Sequence, residues 1–287
     1  MPAGAHRCAR AVVEYDGTAF AGSQYQPNAR TVQGELEEAL NRLTGERVRI
    51  RFAGRTDAGV HATGQVIAFC LARRRRGQGL GWRELQRRLN EALPRDLAVR
   101  SLRAASPGFD PRREARQRVY RYRVLTGGTR QPAQRHRTLE IDDRLDVAAM
   151  RAAARLLTGE RDFAALGSHP HGRTVRRLDE VTIARRGPLI EIRVVANAFL
   201  RRMVRSMVAV LLEVGRGGLA PERVVDLLVS GERSGVRALS GRAAPARGLT
   251  LERVVYPRVA KPNTTKQPGT PGLARPDEPV TPERAGT

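Results

Sequence analysis

The sequence predicts an α+β fold, a sheet with its helices on one face, built from two halves that share one plan. Three observations predict it. Strand-like runs alternate with amphipathic helical runs over mostly short connections. The pentapeptide Leu-Thr-Gly-Glu-Arg closes a helical run twice, at residues 43–47 and 157–161. A chain of 287 residues also suits one large domain or two of ordinary size.

The first half opens with a strand at residues 9–15, closed by the turn signal Asp16-Gly17-Thr18. Residues 20–26 form a loop rich in polar amides. Thr31 opens a helix on which Val32, Leu36, Ala39, Leu40 and Leu43 recur at helical spacing, and Gly45 stops it. A strand at 47–53 leads into a glycine-broken loop, and a strand at 65–71 leaves it. The four arginines Arg73 to Arg76 then read as a solvated loop that adds positive field. A helix at 82–93, ended by Pro94, and a strand at 97–104 complete the half.

Polar and basic residues 106–118 cross into the second half. In the strand at 119–125, alternation puts Tyr120 and Tyr122 on one face and Arg121 and Arg123 on the other. A helix follows at 147–157, then paired strands at 177–184 and 189–196 around Arg186-Gly187-Pro188. From Leu200, an apolar helix face of Met203, Val204, Met207, Val208, Leu211 and Leu212 carries Arg201, Arg202 and Arg205 in its first turns. Cations there oppose the helix dipole at about 0.3–1 kcal/mol each. A local rule broken three times points to a site. A short helix at 221–228 and a last strand at 249–256 follow. The expected division is a flexible N-terminus over 1–8, an N-terminal domain over 9–108, a C-terminal domain over 109–257 and a disordered Pro/Gly-rich tail over 258–287, where apolar residues are too few to order the chain.

The net charge of +23 and pI near 11.6 favour a polyanionic partner, and nucleic acid is the commonest. Outside the tail the positive charge is all arginine, which pairs phosphate through a planar fork. Aromatic residues at 4% argue against broad stacking platforms for single strands. Cys8 and Cys70, each in an apolar strand-like run, read as reduced, buried thiols of a cytoplasmic protein. No signal peptide and no stretch of membrane-spanning length is apparent.

His169 and His171 lack a nearby carboxylate, and Asp57 with His61 supplies too few ligands, so a metal site is not expected. Phosphate-cradling glycine motifs and a G-x-S-x-G elbow are absent. What remains is a carboxylate in a basic setting. Residues 52–65 read F-A-G-R-T-D-A-G-V-H-A-T-G-Q, with Asp57 between Arg55 and His61 and glycines that no regular element would choose. Taken alone, this run also fits a capped turn with a surface arginine. As chemistry, a carboxylate among guanidinium groups suits attack at, or proton removal near, a sugar carbon whose glycosidic bond loosens.

G-R-T-D-A-G-V-H-A at 54–62 resembles the signature of the tRNA pseudouridine synthase A family. So do, in order, E-Y-D-G-T with Phe20, Gly22 and Gln24, the V-Q-G-E-L-E helix, the V-Y-R-Y strand, A-N-A-F-L-R-R-M-V-R and the closing G-L-T-L. The resemblance covers residues 9 to about 257. It implies antiparallel sheets joined into one central sheet with a catalytic cleft between the halves, and cofactor-free, metal-free isomerisation of uridine to pseudouridine in the anticodon stem-loop of tRNA by a homodimer. It makes Asp57 the catalytic aspartate, as nucleophile or base, and Tyr120 the ring against the target base. Arg205 is then the partner of Asp57, Arg55 the residue that helps extrude the base, and Leu249 a pocket wall. Arg201, Arg202, Gln24, His61 and Arg112 are expected RNA contacts. Extruding a base costs a few kcal/mol and needs a side chain to fill the gap. Ser23, Asp110-Pro111 and Thr250 depart from the family's usual residues. Two alternatives stay open: a non-catalytic RNA-binding protein of the same fold, and a phosphatase suggested by Glu14 to Thr18, which resembles the opening of the haloacid dehalogenase type with Glu14 in place of its nucleophilic aspartate.

Overall fold

The computed structural model describes residues 6–72, 79–128, 130–168, 172–229 and 243–257. The run Arg73 to Arg76, His169, His171 and the tail from Arg258 lie outside the described residues. The first half runs β1 (His6–Tyr15), α1 (Val32–Thr44), β2 (Arg51–Phe52), β3 (His61–Ala72), α2 (Trp82–Ala92) and β4 (Leu97–Ala105). The second runs β5 (Gln117–Leu125), β6 (Leu139–Glu140), α3 (Val147–Leu157), β7 (Gly159–Asp162), β8 (Val175–Arg186), β9 (Leu189–Ala196), α4 (Met203–Gly215), α5 (Arg223–Val229) and β10 (Leu249–Val255).

The strands lie in one sheet in the order β4-β1-β3-β10-β5-β9-β8-β7, with β2 also on β3 and β6 on β5. Beneath that order is a repeat. In the first half, β4-β1-β3-β2 belongs to a β-α-β-β-α-β chain, and β10-β5-β9-β8 repeats the same arrangement in the second. Pairing is antiparallel among these eight strands except where a short parallel ladder, Thr250 opposite His61 and Leu251 opposite Ala62, joins β10 to β3; β6 also pairs with β5 in parallel. Backbones there approach so closely that a Cβ on Gly64 would fall 2.1 Å from the Glu252 carbonyl oxygen.

Directly opposed residues share a face, so the register carries one buried row across the joined sheet: Leu97, Tyr15, Ala62, Leu251, Tyr120, Val194 and Val181. Leu36, Leu40, Leu85 and Leu89 from the first repeat's helices, and Met150, Leu157, Met203 and Met207 from the second's, belong to the same apolar core. The alternate residues of β5 and β9 form cross-strand ion pairs instead, Arg121 and Arg123 with Glu191 at 3.0 and 2.9 Å.

Several boundaries differ from the expectation. Residues 6–8 belong to β1 and pair with β3, so they are not a flexible terminus. Only Arg51–Phe52 of the strand expected at 47–53 joins the sheet, because the Ile50 amide donates to the Glu37 side chain of α1. The repeated pentapeptide has two fates. Gly45 caps α1 in the left-handed region (φ 70°), whereas Gly159 opens β7 after Thr158 has capped α3. The cysteine reading is overturned: β1 sets Cys8 opposite Cys70 on β3, and the two form a disulfide with Cα atoms 4.0 Å apart. Sixty-two residues of separation hid a cross-strand pair. Among the described residues no helix is long and apolar enough to cross a membrane.

Candidate active site

Asp57 sits on the connection between β2 and β3, and that loop is tied down by buried polar groups. Ser23, fully buried, donates its backbone N–H to the Thr56 carbonyl at 3.1 Å and accepts from the Thr56 N–H through Oγ at 2.9 Å. The Thr56 hydroxyl is 2.8 Å from the Tyr15 hydroxyl, and Gln65 Nε2 donates to the Gly54 carbonyl at 2.7 Å. Burial pushes the Tyr15 hydroxyl up to about 12, so it stays a neutral partner. Gly59 takes φ 76°, where a side chain would be strained, and lies against Ala246.

The second repeat brings its own groups to this loop. Arg205 is in the first turn of α4, and its Nη1 donates to Asp57 Oδ2 at 3.2 Å, across 148 residues of sequence. Both side chains are largely covered, at 15% and 26% exposure. Arg205 Nε also donates to the Ala244 carbonyl at 2.6 Å, holding the approach to β10. The carboxylate answers the cation that the helix dipole disfavours at this end. Arg201 and Arg202 precede the helix instead of sitting in its first turn. Arg202, the N-cap, has φ 62°, the left-handed region that an arginine enters at some cost.

Tyr120 is buried on β5, edge-on to Phe199 with centroids 5.1 Å apart. Its hydroxyl pKa is raised by burial and further by Tyr15 and Asp57. A Cβ on Gly54 would lie 3.9 Å from that hydroxyl. Leu249, buried, opens β10 opposite Tyr122, whose hydroxyl donates to the Pro245 carbonyl at 2.8 Å. Asp57, Arg205 and Tyr120 therefore meet around one loop, with Leu249 on the strand that follows Ala244.

Arg55, Gln24, Arg112, Arg201 and Arg202 are exposed, and the Arg55 side chain has no hydrogen bond or ion pair among the described residues. His61 does not reach the surface. It is 3% exposed, and its Nδ1 accepts the Gly17 N–H at 3.0 Å and lies 3.2 Å from Asp16 Oδ1. Burial lowers its pKa, against the opposing charge of Asp16. As an RNA contact His61 is thus withdrawn; it supports the turn after β1.

Of the departures, Ser23 is part of the loop's support, and Asp110 Oδ1 accepts the Arg112 and Arg113 amides at 2.8 and 3.0 Å. Thr250 lies on the face opposite Leu249. Glu14, the residue on which the phosphatase alternative rests, is on the face opposite Tyr15 and pairs with Arg100 at 3.5 Å. Among the described residues no three His, Cys, Asp or Glu side chains group to hold a metal ion. Sequence reasoning missed Ser23, Tyr15 and Gln65 as loop supports and Phe199 as the ring on Tyr120. Phe199 stood in the quoted A-N-A-F-L-R-R segment, the one signal that could have marked it.

An α+β sheet repeat with a carboxylate loop gripped by an arginine in the first turn of a helix defines a class of site, and comparison gives the family. A family model described as "tRNA pseudouridine synthase" matches residues 11–110 and 153–257. "tRNA pseudouridine synthase A" of Geobacter sulfurreducens is 45% identical over 252 residues, covering 87% of this chain and 100% of the relative. The protein of the same name from Chloroflexus aurantiacus is 46% identical over 254 residues, covering 86% and 87%. That of Geobacillus kaustophilus is 40% identical over 250 residues, covering 86% and 93%. The chain belongs to the tRNA pseudouridine synthase family.

Proposed function

We propose that this protein isomerises uridine to pseudouridine in the anticodon stem-loop of tRNA, with Asp57 as the catalytic carboxylate. The observation that carries the reading is the contact between Asp57 and Arg205, made by opposite repeats beside Tyr120. In the reaction the bond from ribose C1′ to uracil N1 breaks, the base turns, a bond from C1′ to C5 forms, the C5 proton leaves to solvent and N1 takes up a proton. Asp57 acts at the sugar as nucleophile or base, and Arg205 holds its carboxylate in place. Tyr120 and Leu249 wall the detached uracil, and Arg55, exposed two residues before Asp57, fills the gap left by the extruded base. Arg112, Arg201, Arg202 and Gln24 contact the RNA backbone, where guanidinium groups suit phosphate. The protein acts without cofactor, in the cytoplasm, as a homodimer with tRNA across both subunits. The two repeats, divided at residue 108, form its two domains.

The test follows tritium release from a tRNA transcript labelled at uracil C5. Wild type releases tritium, and Asp57→Asn releases at least about 10³-fold more slowly while binding tRNA as tightly. Binding by both without release from any tRNA would leave the non-catalytic RNA-binding alternative in its place.

A further inference from the structure

Arg118 is 7% exposed, yet among the described residues no carboxylate is bonded to it. Its guanidinium is spent on backbone carbonyls. Nη1 donates to Ala115 at 3.1 Å and Asn197 at 2.6 Å, and Nη2 to Ala53 at 3.0 Å and Arg112 at 2.5 Å. These four carbonyls come from three stretches of chain. Ala53 is the last residue before Gly54-Arg55-Thr56-Asp57. Asn197 follows β9 and begins the run to Phe199 and Arg205. Arg112 and Ala115 lie in the crossover between the repeats.

A buried cation without a counter-charge is a costly way to fill a core, and an apolar side chain of similar volume generally serves stability as well or better. Burial, with the nearby charge of Arg112, lowers the Arg118 pKa, which is the mark of that cost. What the guanidinium supplies and an apolar group cannot is a rigid fork of donors that fixes several acceptors at once. Ala53 is held from its other side too, by its own N–H to the Val66 carbonyl at 2.8 Å. Arg118 lies two residues before Tyr120 on the same strand face. The site is thus clasped at the residue where its catalytic loop begins and at the segment that carries its aromatic neighbour.

We propose that Arg118 is a positioning residue for the isomerisation: through the Ala53 and Asn197 carbonyls it sets the Asp57 loop of the first repeat against Tyr120 and Phe199 of the second. This rests on the reaction proposed above. Buried and bonded to backbone instead of to Asp57, Arg118 acts through these segments, so its loss should appear in the chemical step, where displacements of about an ångström cost on the order of 10²-fold.

The experiment compares wild type, Arg118→Met and Arg118→Lys, all full length, by tritium release from C5-labelled tRNA, with thermal unfolding measured on each. The expected result for Arg118→Met is kcat lower by about 10²-fold with KM for tRNA within about twofold of wild type, at a temperature where the variant is fully folded. Lysine reaches fewer of the carbonyls, so Arg118→Lys should recover about tenfold of that loss. A merely structural role predicts a lower Tm with kcat unchanged among folded molecules, and that result overturns the proposal. A rise in KM with kcat intact overturns it as well, in favour of RNA binding. Should Arg118→Met fail to fold, Arg118→Lys decides: kcat reduced about 5- to 20-fold at unchanged KM supports the role, and wild-type kcat overturns it. Wild-type turnover separates the two failures. No release by wild type overturns the reaction and the role together, whereas wild-type release with unchanged variant kcat overturns the role alone.

Discussion

The two repeats make the same connection in two ways. In the first, β2 and β3 are joined through residues 53–60, which carry Asp57. In the second, β8 and β9 are joined by Gly187-Pro188 alone. The short turn is solved by backbone geometry, with Gly187 at φ 58° where a two-residue hairpin calls for a glycine. The long one leaves polar backbone to be satisfied; Ser23 and Gln65 bond the Thr56 N–H and the Gly54 carbonyl, and the Tyr15 hydroxyl pins the Thr56 side chain. A loop with that much side-chain support can present a reactive group at a fixed place. The second repeat contributes from its helix and strand instead, through Arg205 and Tyr120. One copy of the plan carries the carboxylate and the other carries what grips it.

If the catalytic unit is the pair across the repeats, its largest test after Asp57 itself is Arg205→Met. Removing the guanidinium frees one oxygen of Asp57 and the Ala244 carbonyl together. Turnover should fall by about 10²-fold or more, with Arg205→Lys intermediate because a lysine cannot serve both acceptors in the same geometry. Steady-state tritium release would show it. Turnover of Arg205→Met within threefold of wild type would mean that the first repeat's loop is self-sufficient and the comparison is misdrawn.

Much of this was legible in the sequence because it rests on periodicity and local signals. The helix at 32–44 announces itself through Thr31, its apolar spacing and Gly45, and the alternation in β5 places Tyr120 and Tyr122 without coordinates. What was illegible depends on register between distant strands. Cys8 meets Cys70 only because β1 and β3 pair as they do, and His61 reads as a polar loop residue until its pairing with Thr250 puts it under the Asp16 turn. Arg118 looks like one more basic residue in a basic crossover; four carbonyls from three stretches cannot be seen one-dimensionally.

A middle-sized effect tests whether His61 supports the turn after β1, against which the long connection ends at Val60. Its ring faces Asp16 and Arg137, and burial holds its pKa below the ordinary 6.5. Between the lowered value and 6.5 the unfolded chain binds the extra proton. Stability should therefore be full above about pH 6.5 and fall as pH drops below it, by at most about 1.4 kcal/mol per pH unit. Asp16, whose pKa is lowered from 3.8, adds its own loss only at more acid pH. In His61→Gln the slope of Tm between pH 7 and 5 should flatten, as read by thermal melts in matched buffers. An unchanged slope would remove His61 from the support.

The smallest effect is the sharpest for the comparison, because it asks the second connection to do nothing. A Cβ on Gly187 meets no atom within 4 Å, so Gly187→Ala costs only the left-handed backbone, about 1 kcal/mol. Urea unfolding should show that loss while tritium release per folded molecule stays at the wild-type rate. The turn closes an antiparallel pair, and Ile190 beside it lies opposite Val124, while β9 meets Tyr120 only farther along, where Val194 is opposite it. A fall in turnover beyond the lost stability would show that the hairpin sets the position of β5, and so of Tyr120. The division of labour between a loop that carries chemistry and a turn that merely closes a strand pair would then fail.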